Sequence, residues 1–308
     1  MVPPAAAADV LLGLACGDAL GRPVEFRSAA SIADQHGTVT EMLGHGTHDR
    51  PAGTVTDDTD LALRIARSLV EQGAFDGRDI ADRFHEWYES DPFDIGLMTA
   101  DALREYGTGS SWRDAGRNVW QHREEGSNAG NGSVMRCAPH AIAFAGDPDA
   151  LVRASRQSSA ITHYDPRCTY GCAVLNGTIA GFLRGDDQPL QTALERVEAD
   201  APVELVEALR LVPDHIDGDQ LPTSGYVVHT LQTALHDALT ATSAEDAIVT
   251  AVNRGGDTDT IGAVTGAIAG ARFGGDALPD RWLETIEYRD ELERLAKVLA
   301  TTDIDPPA

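Results

Sequence analysis

From Thr56 onward the apolar positions Leu61, Ile65 and Leu69 recur every four residues, and Gly73 ends the run. That spacing predicts an amphipathic helix with a glycine at its C-terminal stop. Ile80, Phe84, Trp87 and Tyr88 repeat the pattern over 79–88. Asp165-Pro166 supplies an N-cap and a proline at the first helical position, and Gly185 stops that helix after about five turns. Ser243 and Asp246 resemble a capping box, with Gly255-Gly256 closing the helix that follows. The stretches 38–43 and 50–56 have weak extended character, and no train of alternating strands appears. The pattern therefore predicts an all-α chain: a compact, single-domain orthogonal bundle of ten or more helices over residues 1–302. The loops fall at 185–190 and 212–223, and 303–308 is a loose tail.

Glycines interrupt several of these helical patterns. Gly13 and Gly17 are four apart, as are Gly177 and Gly181, and Gly262, Gly266 and Gly270. An interior glycine costs about 1 kcal/mol against alanine. Close approach of one helix to another is the compensation expected.

The chain has 308 residues with 24 basic and 49 acidic side chains, a formal charge of −25. Long contact with nucleic acid is therefore disfavoured, because the phosphate backbone would be repelled. Lys297 is the only lysine. A GC-rich genome accounts for arginine in place of lysine. A high-salt cytosol, where self-repulsion is screened, accounts better for the excess acid. No apolar run reads as a bilayer span and the N-terminus has no basic leader region, so a cytoplasmic, monomeric protein without membrane partners is expected. Cys16, Cys137, Cys168 and Cys172 form no CxxC pair and read as small buried apolar residues.

Two acidic clusters change the picture. Residues 53–60 read Gly-Thr-Val-Thr-Asp-Asp-Thr-Asp, and residues 254–260 read Arg-Gly-Gly-Asp-Thr-Asp-Thr. Each lies where a loop becomes a helix. Either alone fits plain capping, since Asp and Thr are favoured at N-caps and acids suit the first turn. Capping uses one side chain, however, and each cluster offers at least four consecutive oxygen-bearing residues. If the two helix starts converge, their carboxylates cannot all stay ionised without cations. All-oxygen ligands suit hard ions such as Mg²⁺ or Mn²⁺. The loop 127–133, Ser-Asn-Ala-Gly-Asn-Gly-Ser, is built of small residues whose N–H groups can approach a diphosphate; by itself it is equally an ordinary turn.

These clusters are two of six motifs in chain order. The others are Leu12-Gly-Leu-Ala-Cys-Gly-Asp-Ala-Leu-Gly-Arg-Pro-Val-Glu-Phe26, Asp94-Ile-Gly96, Gly130-Asn-Gly-Ser-Val-Met-Arg136 and Thr162-His-Tyr-Asp-Pro166. Together they resemble the ADP-ribosylglycohydrolases. The resemblance implies an all-α fold with two divalent cations, Mg²⁺ or Mn²⁺. Thr56, Asp57 and Asp58 match one ligand set, and Asp257, Asp259 and Thr260 the other. It implies that Glu25 is an acid on a mobile loop near the metals; without it, Glu25 reads as a solvated loop acid. It implies that Asn131, Gly132, Ser133 and His163 line an ADP-ribose pocket. Arg136 can pair with phosphate or brace the bundle, and Asp165 reads as a cap. Asp94 matches an acid that, in the arginine-specific branch, faces the guanidinium of the modified residue, a pairing that suits arginine's planar fork of donors; it also reads as a plain helix-start acid.

The expected reaction is hydrolysis of the N-glycosidic bond between ADP-ribose and a modified protein or small conjugate, with arginine the preferred linkage. Glu25 or a ligand aspartate, Asp58 or Asp257, would accept a proton, and Asp94 or a metal-bound water would assist the leaving group. O-acetyl-ADP-ribose or ADP-ribosylserine hydrolysis, and a non-catalytic ADP-ribose binder on the same fold, remain alternatives at this stage. So does a purely structural helical domain, which would show no metal dependence.

Overall fold

The computed structural model describes residues 2–124, 126–275 and 277–308. Among these residues there are sixteen α-helices and no strands, only isolated bridges. They are α1 (Pro4–Gly21), α2 (Ala29–His36), α3 (Asp57–Gln72), α4 (Gly77–Glu89), α5 (Leu97–Gly107), α6 (Ala115–His122), α7 (Pro139–Ala143) and α8 (Pro148–Ala160) in the first half. The second half holds α9 (Pro166–Arg184), α10 (Pro189–Val197), α11 (Val203–Arg210), α12 (Val227–Thr240), α13 (Ala244–Asn253), α14 (Thr258–Phe273), α15 (Asp280–Leu283) and α16 (Arg289–Thr301). The stops and caps follow the sequence. Gly73 and Gly185 adopt left-handed conformations after α3 and α9, Asp165 caps α9, and Ser243 accepts from the Asp246 amide at the start of α13.

The centre of the molecule is the antiparallel pair α1 and α14. A Cβ on Gly13 would lie 2.2 Å from the carbonyl oxygen of Gly266, and one on Gly17 would lie 1.9 Å from that of Gly262. Gly21 meets Thr258, and Gly270 meets Asp9, in the same way. Every four residues forward on one helix are matched by four back on the other. This backbone-to-backbone contact is what the interior glycines supply. Gly177 and Gly181 play a lesser part, against Ala193 and Pro189 of α10. By length and composition α1 could cross a membrane, but 83% of that segment is buried inside the protein. It is the core helix, so the apolar run that the sequence seemed to lack is present and used internally.

The stretches 38–43 and 50–56 are loop, not strand. Arg22 is wholly buried and takes over their carbonyls. Its guanidinium donates to Thr54 O at 3.0 Å, His45 O at 3.0 Å and Pro51 O at 2.9 Å. A guanidinium with five donors here does the work of a strand ladder. The tail is also not loose. Asp305 donates its N–H to Gly73 O at 2.9 Å and accepts from Phe75 N at 2.8 Å, and Ile304 is buried in the core. All four cysteines are free and buried.

Candidate metal and active site

The α1–α14 register places the C-terminal end of α1 beside the start of α14, and α3 begins against both. Asp18 on α1 is wholly buried and organises the first acidic cluster. It accepts from Thr56 N at 3.0 Å, Thr56 Oγ1 at 3.0 Å, Thr59 N at 3.2 Å and Thr59 Oγ1 at 2.6 Å. These bonds fix the turn that enters α3 and aim Asp57 and Asp58 inward. The clusters meet where Thr260 Oγ1 approaches Asp58 Oδ2 at 3.4 Å. Asp257 stands at the N-cap of α14, yet its side chain makes no cap bond. It accepts from Asn131 Nδ2 at 2.7 Å instead. Capping therefore does not explain why that carboxylate is there.

Glu25 closes the group. It follows a 3₁₀ turn at Arg22–Val24 and is buried, its carboxylate turned into the site rather than out to solvent. Oxygens of Glu25, Asp257 and Asp259 lie within 4.8 Å of one another, and a second such group joins Glu25, His48 and Asp94. His48 Nε2 is 2.6 Å from Glu25 Oε2 and 3.9 Å from Asp94 Oδ2. Asp57 Oδ2 accepts from Gly96 N at 3.3 Å, which ties the Asp94 loop to the first cluster.

Burial raises the pKa of each carboxylate here, and repulsion from neighbouring acids adds to it at Glu25, Asp57, Asp58, Asp94 and Asp259. Glu25 is pushed up to about 9 by desolvation, then by Asp94, Asp257 and Asp57. Asp57, Asp58 and Asp259 are raised well above the usual range, and Asp94 and Asp257 are raised too, desolvation first in every case. Asp18 rises to about 7 despite its four donors. So many carboxyl groups at one point bind either protons or cations. One atom favours cations. Asp58 Oδ1 is buried and, among the described residues, makes no hydrogen bond. An orphaned carboxylate oxygen inside a cluster of oxygens suits coordination to a hard divalent ion.

The glycine loop forms the adjoining wall. It pairs with the start of α12: Asn131 donates to Gly225 O and Val227 donates to Ala129 O, each at 3.0 Å. Asn131 and Gly132 face the site in part, whereas Ser133 and His163 lie beneath the loop, both buried. A Cβ on Gly132 would come 2.7 Å from the His163 ring. Burial holds His163 well below the usual histidine pKa, hence neutral, and Nδ1 pairs with Thr162 Oγ1 at 2.8 Å. Arg136 is buried under the same loop. It donates to Gly132 O at 2.7 Å and to Thr162 Oγ1 at 2.6 Å, and stacks on Phe84, so it braces the bundle. Thr99 Oγ1, buried beside Gly132, has no partner among the described residues and completes this wall.

Asp18, His48 and Thr99 are the participants that sequence reasoning misses. Asp18 stands inside a quoted motif, but nothing in its spacing says that it holds Thr56 and Thr59. His48 sits in a loop with no periodic signal at all.

The family model described as ADP-ribosylglycohydrolase matches residues 4–307. ADP-ribosyl-[dinitrogen reductase] glycohydrolase of Rhodospirillum rubrum is 34% identical over 93% of this chain and 92% of its own length. ADP-ribosylarginine hydrolase Tri1 of Pseudomonas putida is 33% identical over 95% of this chain and 77% of its own. A solved ADP-ribosylglycohydrolase-related protein complex superposes with a TM-score of 0.82 at 34% identity, covering 97% of this chain and 98% of that one. The converged acidic clusters, the all-α bundle and these likenesses agree: the chain belongs to the ADP-ribosylglycohydrolase family.

Proposed function

We propose that the protein hydrolyses the N-glycosidic bond of ADP-ribosyl-arginine, on a protein or a small conjugate, and releases ADP-ribose. The observation that carries the reading is the buried, unpartnered Asp58 Oδ1 at the meeting point of the two clusters. Thr56, Asp57 and Asp58 would hold one divalent cation and Asp257, Asp259 and Thr260 another, Mg²⁺ or Mn²⁺. Bound there, such ions lower the pKa of a coordinated water and offset charge developing on the ribose oxygens. A relative 33% identical is named an ADP-ribosylarginine hydrolase, which supports arginine here, and one 34% identical is named for an ADP-ribosylated protein, dinitrogen reductase.

The chain's own residues supply the rest. Backbone N–H groups of the glycine loop suit the diphosphate, with Asn131 steadied by Asp257 and Thr99 Oγ1 free to donate. The mouth carries Asp94, whose carboxylate suits a guanidinium leaving group. Glu25, buried and paired with His48, would take a proton from the attacking water. Cations bound beside Glu25 would lower its raised pKa and keep it ionised, the form in which it can accept a proton.

The test is ADP-ribose release from ADP-ribosyl-arginine in molar KCl, with Mg²⁺ or Mn²⁺ and with EDTA, beside Asp57→Asn. Metal-dependent release that the variant loses supports the reading. No release, with ADP-ribose still bound, leaves O-acetyl-ADP-ribose or ADP-ribosylserine hydrolysis or a binding protein. No binding returns the clusters to capping.

A further inference from the structure

Six large apolar side chains are exposed among the described residues, and three of them are next in the chain to residues of the acidic site: Phe26 at 73%, Leu97 at 78% and Phe93 at 37% exposure. Each adjoins a residue of the site. Phe26 follows Glu25, Phe93 precedes Asp94, and Leu97 follows Gly96, whose amide donates to Asp57. Singly exposed apolar residues need no explanation, but a cluster at the entrance to a polar pocket marks a contact surface.

Phe26 is the strongest member. Its φ is +61°, a conformation bulky residues avoid. The backbone is pinned there on both sides, by Phe26 N donating to Gly256 O at 2.7 Å and Thr47 Oγ1 donating to Glu25 O at 2.8 Å. The strain places a phenyl ring in solvent instead of in the core, so packing does not repay it. Phe93 is held differently. Its ring centroid is 5.5 Å from that of His48, and the Arg50 guanidinium lies 4.4 Å over its face.

We infer that Phe26, Phe93 and Leu97 form a docking rim for the polypeptide that flanks the modified arginine, with preference for an apolar side chain next to it. The inference rests on the arginine-hydrolase reading above. If the scissile bond reaches the carboxylates inside the pocket, the chain bearing the modified residue must cross its mouth, and these three side chains are what it meets. Burying one aromatic or aliphatic side chain there is worth roughly tenfold in kcat/KM or more.

The experiment compares three substrates: free ADP-ribosyl-arginine, an ADP-ribosylated arginine peptide with leucine neighbours, and one with serine neighbours. Wild type is set beside Phe26→Asn, which tolerates a left-handed backbone, and Leu97→Ser. Circular dichroism and melting verify folding. Wild type should favour the leucine-flanked peptide by roughly tenfold or more. The variants should lose that preference while hydrolysing free ADP-ribosyl-arginine at the wild-type rate. A parallel loss on the free conjugate would mean that the rim touches ADP-ribose itself and would overturn the proposal. So would equal use of both peptides by wild type. Failure of wild type to cleave even the free conjugate would sink the arginine reading, and the rim with it.

Discussion

A Cβ on Gly17 would lie 1.9 Å from the carbonyl oxygen of Gly262, and one on Gly262 would lie 2.5 Å from the carbonyl oxygen of Gly17. Each residue is glycine because the other's backbone occupies the space. The same register continues to Gly21 and Thr258, and so delivers Glu25 to Asp257 and Asp259. The core and the site therefore share one requirement.

Gly17→Ala should destabilise the protein by about 3 kcal/mol or more, because the obstruction is backbone and cannot swing aside. Gly146→Ala is the control. It meets nothing within 4 Å and has no left-handed φ, so its effect should stay within about 0.5 kcal/mol. Urea melts of the two variants decide the matter. Equal midpoints would show that α1 and α14 are not held this closely.

Asp259→Asn should give a protein that is more stable without metal and inactive with it. Asp259 is raised well above the normal range by burial and by repulsion from Glu25, Asp257, Asp58 and Asp94. Removing its charge relieves that repulsion, while the amide oxygen can still accept from Thr260 N at 2.8 Å. At pH 8 in EDTA the variant should melt above wild type. Its melting temperature should respond less to Mg²⁺ than that of wild type, because one of the two ligand sets is broken. Thermal melts with and without the ion test both halves, and a loss of stability in EDTA would contradict the repulsion argument.

How far the sequence reveals this arrangement depends on whether a residue's role is written locally. Asp57, Asp58, Asp257 and Asp259 are legible because consecutive oxygen-bearing residues at a helix start exceed what a cap needs. The α1–α14 contact is legible because glycine repeats every fourth residue on both partners. Glu25 is not legible from composition, since only a 3₁₀ turn and the left-handed Phe26 turn its carboxylate inward. Arg22 and the tail are missed for a related reason. A guanidinium collecting carbonyls from 43–54, and a strand-like pairing of Asp305 with Gly73 and Phe75, leave no periodic trace in the chain.

Asp18→Asn should weaken the site from behind. Both carboxylate oxygens of Asp18 accept, one or both from each of Thr56 and Thr59. Asparagine retains one acceptor and turns an N–H₂ toward donors. The cost should be roughly 1 to 3 kcal/mol. Thr56 Oγ1 would lose its orientation, so Mg²⁺ or Mn²⁺ affinity should fall as well. Isothermal titration of the folded variant would measure this, and unchanged affinity would confine Asp18 to a purely structural role.

Stability of the metal-free protein should fall as pH rises. A glutamate in the unfolded chain ionises near 4.5, whereas burial lets Glu25 in the folded site hold its proton to about 9. Between these limits the native state binds more protons than the unfolded state. Stability rises with pH only where the unfolded state binds more, so here it declines across the whole interval. Divalent cations compete with those protons for the same oxygens. Their stabilisation should therefore grow with pH, reaching about 2.7 kcal/mol when the ion is at 100 times its Kd. Melting temperatures at pH 5, 7 and 9, with EDTA and with saturating Mg²⁺ at constant ionic strength, give the comparison. A metal increment that is flat or shrinks with pH would mean that the ions bind elsewhere, since only ions displacing protons from these carboxylates gain as the protons leave.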